Sequence, residues 1–259
     1  EEGELICKRQ ENGGYAPECK SQEIIQNARE AIVMPPLITE FERLTGADLS
    51  PFFNSYMRSK LLLALKMTVT ISVLSIFGAL VVGIFLAYLK FSSYRLISGA
   101  GNILAGILKT SPPIIMLYLF YFGLSASASS DSIFKLSALS TAVLVFSLYA
   151  GAGVSAILAS TMKTLNKTNL YRNNTTLLMK KSFSSNVEGV QANCINIVKA
   201  SGLASAISVP ELISVSNLVI GNWGNTATMM NILLIVYFFY VLVVVYVLKY
   251  LTKVLVRNV

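Results

Sequence analysis

The sequence predicts an all-α integral membrane protein, and three observations lead to that fold class. Hydrophobic residues make up 54% of the 259 residues and charged residues only 13%, which is too apolar for a water-soluble domain of this length. Long stretches of the chain carry no charge, and the remaining charges collect at the ends of those stretches. Prolines and glycines also fall between the apolar stretches, where helices are expected to end.

Five stretches are apolar and long enough to be transmembrane helices. The clearest, residues 67–89, has 23 residues without a charge, enough at about 1.5 Å per residue to cross about 30 Å of hydrocarbon. The last is placed from residue 228 because the segment GNWGN at residues 221–225 interrupts the apolar run before it. The predicted spans are residues 67–89, 109–124, 136–162, 190–209 and 228–248.

The charges are distributed unevenly along the chain. Residues 1–50 contain ten acidic and five basic residues, whereas residues 51–259 contain sixteen basic and three acidic residues. Most of these basic residues follow the first, third and fifth spans, and Lys and Arg mark the cytoplasmic side of a membrane protein. We therefore expect an extracytoplasmic N-terminal segment, residues 1–52, a transmembrane domain, residues 53–259, and a C-terminus inside. The net charge of +8 then reflects topology, and we expect no nucleic-acid partner.

The N-terminal segment contains two of the three cysteines, Cys7 and Cys19. We expect a disulfide between them because the outer compartment is oxidising. A zinc site is the alternative, which the absence of histidine disfavours. Cys194 falls within the fourth span, where a small buried side chain is expected. Residues 21–34 predict a short amphipathic helix that ends at the two prolines that follow.

The sequence contains no recognisable catalytic or cofactor-binding motif. The membrane part has three acidic residues, Asp131, Glu188 and Glu211, and the whole chain has no histidine, so acid–base chemistry and a metal site are hard to assemble. We find neither a phosphate-binding loop nor a dinucleotide fingerprint. We therefore predict that the chain is not an enzyme, binds no metal or cofactor, and receives any energy it uses from a partner.

Four stretches of the sequence carry a resemblance to a known family. They read LALKMTVTISVLSIFGALVVGIFLAYLKFSS, LKTSPPIIMLYLFYFGL, VFSLYAGAGVSAILAS and NIVKASGLASAISVPEL, in this order. Together they resemble the membrane-spanning permease subunits of ABC importers for polar amino acids, of the histidine, glutamine and arginine type. The resemblance covers residues 60–256, about three quarters of the chain, and implies a bundle of five transmembrane helices.

The resemblance also implies a function and a set of partners. Such a subunit forms a substrate pathway with a second permease subunit, as a homodimer or, the arrangement we prefer, a heterodimer. A separate cytoplasmic ATP-binding subunit drives the transport, and an extracytoplasmic substrate-binding protein delivers the amino acid. The implied location is the bacterial cytoplasmic (inner) membrane, where the lipid bilayer surrounds a multi-pass chain.

The second and fourth stretches carry the residues that the resemblance places along the substrate pathway. The family pattern R-G-T-P corresponds here to residues 109–112, and the pattern around L-K-D-T-S-L, followed by an E-L pair, corresponds to residues 198–212. The aspartate of that second pattern is replaced by Ala200, so any contact it makes is lost. The predicted pathway residues are Lys109, Thr110, Ser111, Pro112, Lys199, Ser201 and Glu211.

Three of these predicted pathway residues also have a plainer interpretation. Lys109 can be the cytoplasmic end of its span, with its ammonium group reaching toward water. For Lys199, which is flanked by apolar sequence on both sides, this interpretation and a contact with the pathway or with another subunit stand on an equal footing. For Glu211 a solvated acid at the outer surface is the interpretation we place first, before a contact at a gate.

The loop between the third and fourth spans departs from the family pattern. Importer permeases carry an E-A-A-x-x-x-G motif there, which forms a short helix that docks into the ATPase, and this chain has no such motif and a shorter loop. Residues 163–182 still combine apolar and basic residues, so we expect a partner contact there. The predicted contact residues are Leu170, Tyr171, Arg172, Leu177 and Leu178. The alternative is a degenerate, non-transporting relative that acts as a scaffold or regulatory subunit.

Overall fold

The computed structural model describes residues 34–125, 136–167 and 174–257. Within these ranges the chain is helical and contains no β-strand. It divides into two compact units, residues 34–64 with Val215–Ile235, and Leu65–Ser214 with residues 236–257. The predicted disulfide between Cys7 and Cys19 and the predicted helix before Pro35 lie outside the described residues.

Ten α-helices are described, with a π-helical turn and a 3₁₀ segment between them. The π-helical turn, Leu119–Ser125, continues α5, and the 3₁₀ segment, Ser201–Ile207, continues α8. The helices are α1 Pro36–Thr45, α2 Ser50–Phe53, α3 Ser55–Phe91, α4 Arg95–Thr110, α5 Pro113–Tyr118, α6 Ala138–Lys167, α7 Thr175–Ser185, α8 Val187–Ala200, α9 Leu212–Trp223 and α10 Thr226–Arg257.

Three of these helices, α3, α6 and α10, are individually long and apolar enough to cross a membrane. They contain the first, third and fifth predicted spans. The second and fourth predicted spans fall on two bent helix pairs, α4 with α5 and α8 with α9, so the described chain has up to five spans if each bent pair is one. The protein is therefore a multi-pass membrane protein of the all-α class, as the sequence predicts.

The sharpest break, 103°, separates α4 from α5. Pro112 and Pro113 cause it: each lacks a backbone N–H, and a proline disfavours helical geometry in the residue before it. Ser111 is accordingly extended (φ −70°, ψ 129°), and α5 restarts with Pro113 in its first turn. We predicted a span that begins at Lys109, and this boundary is wrong, because Lys109 lies in the last turn of the preceding helix.

The second break bends the chain by 52° between α8 with its 3₁₀ continuation and α9. Ser208 adopts a left-handed conformation (φ 64°), which is uncommon for a residue with a side chain. The Ser208 N–H donates to the Ser205 carbonyl (3.0 Å) and the Val209 N–H to the Ala204 carbonyl (3.2 Å). Pro210 then prevents the helix from continuing, so Glu211 lies directly before α9.

Helix α6 forms the centre of the larger unit. Two thirds of its most apolar window, 67%, is buried within the described chain, and residues 150–155 form an unbroken buried run, so this part of the helix is enclosed on all sides. The large buried residues of α6 include Val145, Phe146, Val154, Leu158 and Met162.

Glycines let α3 and α6 approach each other closely. A Cβ on Gly83 would lie 2.7 Å from Val154 Cγ1, and a Cβ on Gly151 would lie 2.8 Å from Val82 Cβ and 3.0 Å from the Ala79 carbonyl oxygen. The distances to the two valines are shorter than real Cβ atoms allow, so neither glycine has room for a side chain. This is the small-residue packing that membrane helices use, because lipid provides no hydrophobic drive to hold them together.

Candidate functional site

The most unusual polar group of the described membrane region is the carboxylate of Glu211, which is fully buried (0% exposed). Our first interpretation, a solvated acid at the outer surface, is therefore wrong. The burial follows from the break before α9, because the turn at Ser208–Pro210 directs the chain inward and places Glu211 at the start of that helix. Burying a carboxylate is costly unless donors surround it, and the structure supplies them.

Three donors satisfy Glu211. Its Oε2 accepts from the Ile213 N–H at 3.0 Å and its Oε1 from the Ser214 N–H at 2.9 Å, which makes Glu211 the N-terminal cap of α9. The hydroxyl of Tyr237 on α10 donates to Oε2 at 3.0 Å. A negative charge at a helix N-terminus is also favoured by the helix dipole. The carboxylate is thus held in place without an ion pair to any lysine or arginine of the described chain.

Further hydroxyls extend this polar cluster, which we call the Glu211 cluster and define as Thr68, Ser201, Glu211 and Tyr237. The Thr68 Oγ1 on α3 accepts from the Leu212 N–H at 3.2 Å, so it satisfies the backbone next to Glu211. Thr68 and Ser201 also lie within hydrogen-bonding reach of the Tyr237 hydroxyl. Both side chains are fully buried. Four separate segments of the larger unit therefore meet at one point.

Gly202 allows Tyr237 to reach the cluster. A Cβ at this position would lie 3.1 Å from the Tyr237 hydroxyl oxygen and would overlap the end of the Ile213 side chain. Any larger residue would push α9 or α10 away from the 3₁₀ segment. The glycine in the sequence ASGLASA is thus a close-approach position.

The Glu211 cluster is suited to holding helices in place rather than to binding a solute. Both carboxylate oxygens of Glu211 accept hydrogen bonds from donors of α9 and α10, and the side chain is inaccessible to solvent. Its chemistry is that of a latch: as long as Tyr237 donates to Glu211, α10 stays fixed to the start of α9. Breaking that contact would leave a buried charge without one of its donors.

Of the predicted pathway residues, the structure brings Ser201 and Glu211 together, through Tyr237. The other five do not join them. Lys109, Thr110 and Lys199 are exposed, the Thr110 hydroxyl donates to the Gly106 carbonyl (2.9 Å), and the hydroxyl of Ser111 donates to the Ile107 carbonyl (2.8 Å). Pro112 forms the bend. These residues make no contact that gathers them into a site within the described chain.

Sequence reasoning missed two members of the cluster, Thr68 and Tyr237. Each is a polar residue within an otherwise apolar span, in the segments MTVTISV and IVYFFYV. A buried tyrosine or threonine hydroxyl needs a partner, so these positions were detectable as polar groups in a span. Their buried partner, Glu211, was not detectable, because we had assigned this acidic residue to a loop at the outer surface.

The predicted partner-contact residues are distributed between described and undescribed parts of the chain. Leu170, Tyr171 and Arg172 lie outside the described residues. Leu177 is 46% exposed and Leu178 only 1%. Leu178 packs with Leu158 and Met162 of α6 in a buried cluster, so our prediction that it contacts a partner is wrong. A helix nevertheless forms here, α7, with the Asn174 side chain accepting from the Leu177 N–H at 2.9 Å.

Comparison with known proteins gives the fold a context. No protein-family model matches the chain. The chain is 22% identical over 180 residues to the probable amino-acid ABC transporter permease protein YckA of Bacillus subtilis (strain 168). The alignment covers 66% of this chain and 77% of YckA.

Solved structures match over most of the chain. The crystal structure of an amino acid ABC transporter with histidines gives a TM-score of 0.64 at 17% identity, covering 78% of this chain and 95% of the other. An inward-facing crystal form of the MetNI methionine ABC transporter gives a TM-score of 0.58 at 16% identity. This match covers 79% of this chain and 98% of the MetNI chain. These similarities show that the chain has the fold of an ABC transporter permease.

Proposed function

We propose that this protein is a transmembrane permease subunit of an amino-acid ABC importer, driven by a separate ATP-binding subunit. One observation carries the proposal: the chain superposes on nearly the whole length of a permease from an amino acid ABC transporter, 95% of that chain, while YckA, aligned over 77% of its length, carries the same description. The finer assignment to the histidine, glutamine and arginine type rests on the resemblance in the four sequence stretches.

The surface of the helices supports a second subunit. The most apolar window of α10 has none of its residues buried within the described chain, and large residues such as Leu234, Phe238 and Phe239 are exposed. Lipid can cover part of this surface, and a second permease subunit, identical or different, can cover the rest. In this arrangement Lys109 and Lys199, which are exposed and form no ion pair in the described ranges, are free to face a solute pathway.

The loop before α8 supports a cytoplasmic partner. Helix α7 forms although the E-A-A motif is missing, and α6 holds it through the buried residues Leu178, Met179 and Ser182. We propose Tyr171 and Arg172 as the main contacts to the ATP-binding subunit, together with Leu177, which is exposed on α7. The scaffold alternative depended on the degenerate motif alone, and because a helix is present in this loop, no structural observation favours it.

We further propose that residues 1–52 lie outside the membrane, where they meet the substrate-binding protein, and that the C-terminus lies inside. The basic residues of α7, Lys180 and Lys181, and those near the end of α10 then face the cytoplasm, as the positive-inside rule requires. Cysteine-accessibility labelling of intact cells tests this: a cysteine introduced at residue 40 should react with an impermeant reagent, and one at residue 180 should not.

Reconstitution tests the transport function. The chain, an ATP-binding subunit and a second permease subunit would be placed in proteoliposomes together with a substrate-binding protein, and ATP-dependent uptake of a panel of amino acids would be measured. We expect uptake that depends on this chain, on ATP and on the binding protein. Active ATP hydrolysis without uptake of any solute, from an assembled complex, would favour the scaffold alternative.

The contact to the ATP-binding subunit has a matched test. The variant Tyr171→Ala/Arg172→Ala should weaken association by about 1–3 kcal/mol, roughly 5- to 150-fold in Kd, without changing membrane insertion. The control Tyr94→Ala/Arg95→Ala removes the same two side-chain types from the connection between α3 and α4, where both are exposed, and should leave the affinity unchanged. Equal affinities of the wild type and the first variant would show that this loop is not the contact.

A further inference from the structure

A polar cavity of about 860 Å³ lies in the larger unit, between the start of α8 and the C-terminal part of α10. Two amide side chains build its walls. Gln191 on α8 donates to the Thr252 hydroxyl on α10 and so joins the two helices at the cavity. Asn186 donates to the Thr161 hydroxyl of α6 at 2.8 Å. These two hydrogen bonds hold the amide side chains in place along the cavity, which is open to the surface.

The charges around the cavity favour an anion. Lys249 and Lys253 line it from α10, one helical turn apart, and neither forms an ion pair with any described residue. Glu188 is the acidic residue of the lining, so the lining carries one net positive charge. An anion in the cavity would therefore meet two ammonium groups and one carboxylate, with an excess of positive charge.

The position of the cavity at the end of the apolar span of α10 favours an anion that belongs to a lipid. Tyr246 and Tyr250, one turn apart on α10, are 74% and 63% exposed, and Leu251 beside them is 49% exposed. Exposed tyrosines next to lysines at the end of an apolar span mark the interface between hydrocarbon and water. A ligand whose charged end occupies the cavity could lay an apolar chain against this exposed surface of the helix.

We propose that the cavity binds the phosphate-bearing headgroup of an anionic phospholipid, held by Lys249 and Lys253, with Gln191 and Asn186 shaping the pocket. Its volume lies within the range of small-molecule sites, which is enough for a glycerophosphate headgroup. Bound there, the lipid would brace α10 against α8, next to the loop that carries α7. The inference requires only that the chain spans a membrane, so it stands or falls separately from the transport function.

Native mass spectrometry of the purified full chain tests the proposal. Binding of phosphatidylglycerol and of phosphatidylcholine would be compared for the wild type, for Lys249→Gln/Lys253→Gln, and for the control Lys180→Gln/Lys181→Gln. The control removes the same charge from exposed residues of α7 that do not line the cavity. We expect the wild type to prefer phosphatidylglycerol and the first variant to bind it roughly 30-fold more weakly, about 2 kcal/mol for two lysines at a membrane surface. The control should keep the wild-type affinity.

Three results would overturn the inference. Equal losses in both variants would show general attraction to a basic surface rather than a site. Displacement of the lipid by millimolar inorganic phosphate would assign the cavity to a soluble anion instead. Absence of any preference for phosphatidylglycerol, together with weaker binding of the ATP-binding subunit by the Lys249→Gln/Lys253→Gln variant, would assign the two lysines to a protein contact.

Discussion

Replacing Glu211 tests whether the buried cluster latches α10 to α9. Glu211→Ala removes the acceptor of the Ile213 and Ser214 N–H groups and of the Tyr237 hydroxyl. We expect a large loss of stability, because three donors at a buried position lose their partner together. Glu211→Gln keeps one carbonyl oxygen in almost the same shape and should fall between Glu211→Ala and the wild type.

The contacts give the expected magnitude. Losing an N-terminal cap costs about 1 kcal/mol, and leaving a buried donor unsatisfied costs about 1–3 kcal/mol. For Glu211→Ala the sum is about 3 kcal/mol. Tyr237→Phe removes only the hydroxyl contact to the carboxylate, so we expect about 2 kcal/mol. In a chain of this size each kcal/mol lowers Tm by about 2–4 °C, so the alanine variant should melt about 6–12 °C below the wild type.

The assay is thermal unfolding in a mild detergent, followed by circular dichroism at a fixed scan rate. Tyr240→Phe is the control, since it removes from the same helix a hydroxyl that does not contact Glu211 and lies near the Ser72 hydroxyl instead. Its Tm should fall by less than that of Tyr237→Phe, because the Tyr240 hydroxyl has no charged partner. The double variant Glu211→Ala/Tyr237→Phe completes a double-mutant cycle, whose coupling energy we expect at about 1–2 kcal/mol.

Two outcomes would refute this reasoning. If Tyr237→Phe and Tyr240→Phe lower Tm by the same amount, the contact to Glu211 contributes nothing beyond what any tyrosine hydroxyl on this helix contributes. If the coupling energy between Glu211 and Tyr237 is zero within error, the two side chains do not act as a latch.

The remaining predictions concern packing, capping and cysteine exposure. Gly151→Ala should destabilise the protein by about 1–3 kcal/mol because the new Cβ has no room against α3. In the control Gly106→Ala the new Cβ meets nothing within 4 Å, so this change should be neutral or stabilise α4 by up to about 1 kcal/mol. Thermal unfolding of the two variants compares these effects. Asn174→Ala should speed amide hydrogen exchange in the first turn of α7, since a lost cap costs about 1 kcal/mol, and unchanged exchange would exclude a capping role. With the predicted disulfide intact, Cys194 should be the one thiol that reacts in denatured, unreduced protein and should resist labelling when folded, because it is 3% exposed; three reactive thiols would rule the disulfide out.

The sequence by itself determined where three of the membrane-spanning helices lie. Uncharged stretches long enough to cross a bilayer must be helices there, because only a helix or a closed barrel satisfies its backbone in hydrocarbon, and α3, α6 and α10 confirm this. The glycine-rich segment at residues 221–225 also marked the break between α9 and α10, whereas the prolines at residues 112–113 were placed within a predicted span and not at the end of the helix that precedes them. Such signals are local, since they depend on a residue's own backbone.

What only the tertiary structure decided depends on residues far apart in the chain. The helix before Lys109 was missed because three glycines weaken its helical signal, and Leu178 looked available until α6 was seen to cover it. Glu211 is the clearest case. A loop acid is ordinarily placed at the surface because burying a charge is costly; here donors from Ser214, three residues away, and from Tyr237, 26 residues away, offset that cost. The sequence contains each of these groups, but only the fold places them around one carboxylate.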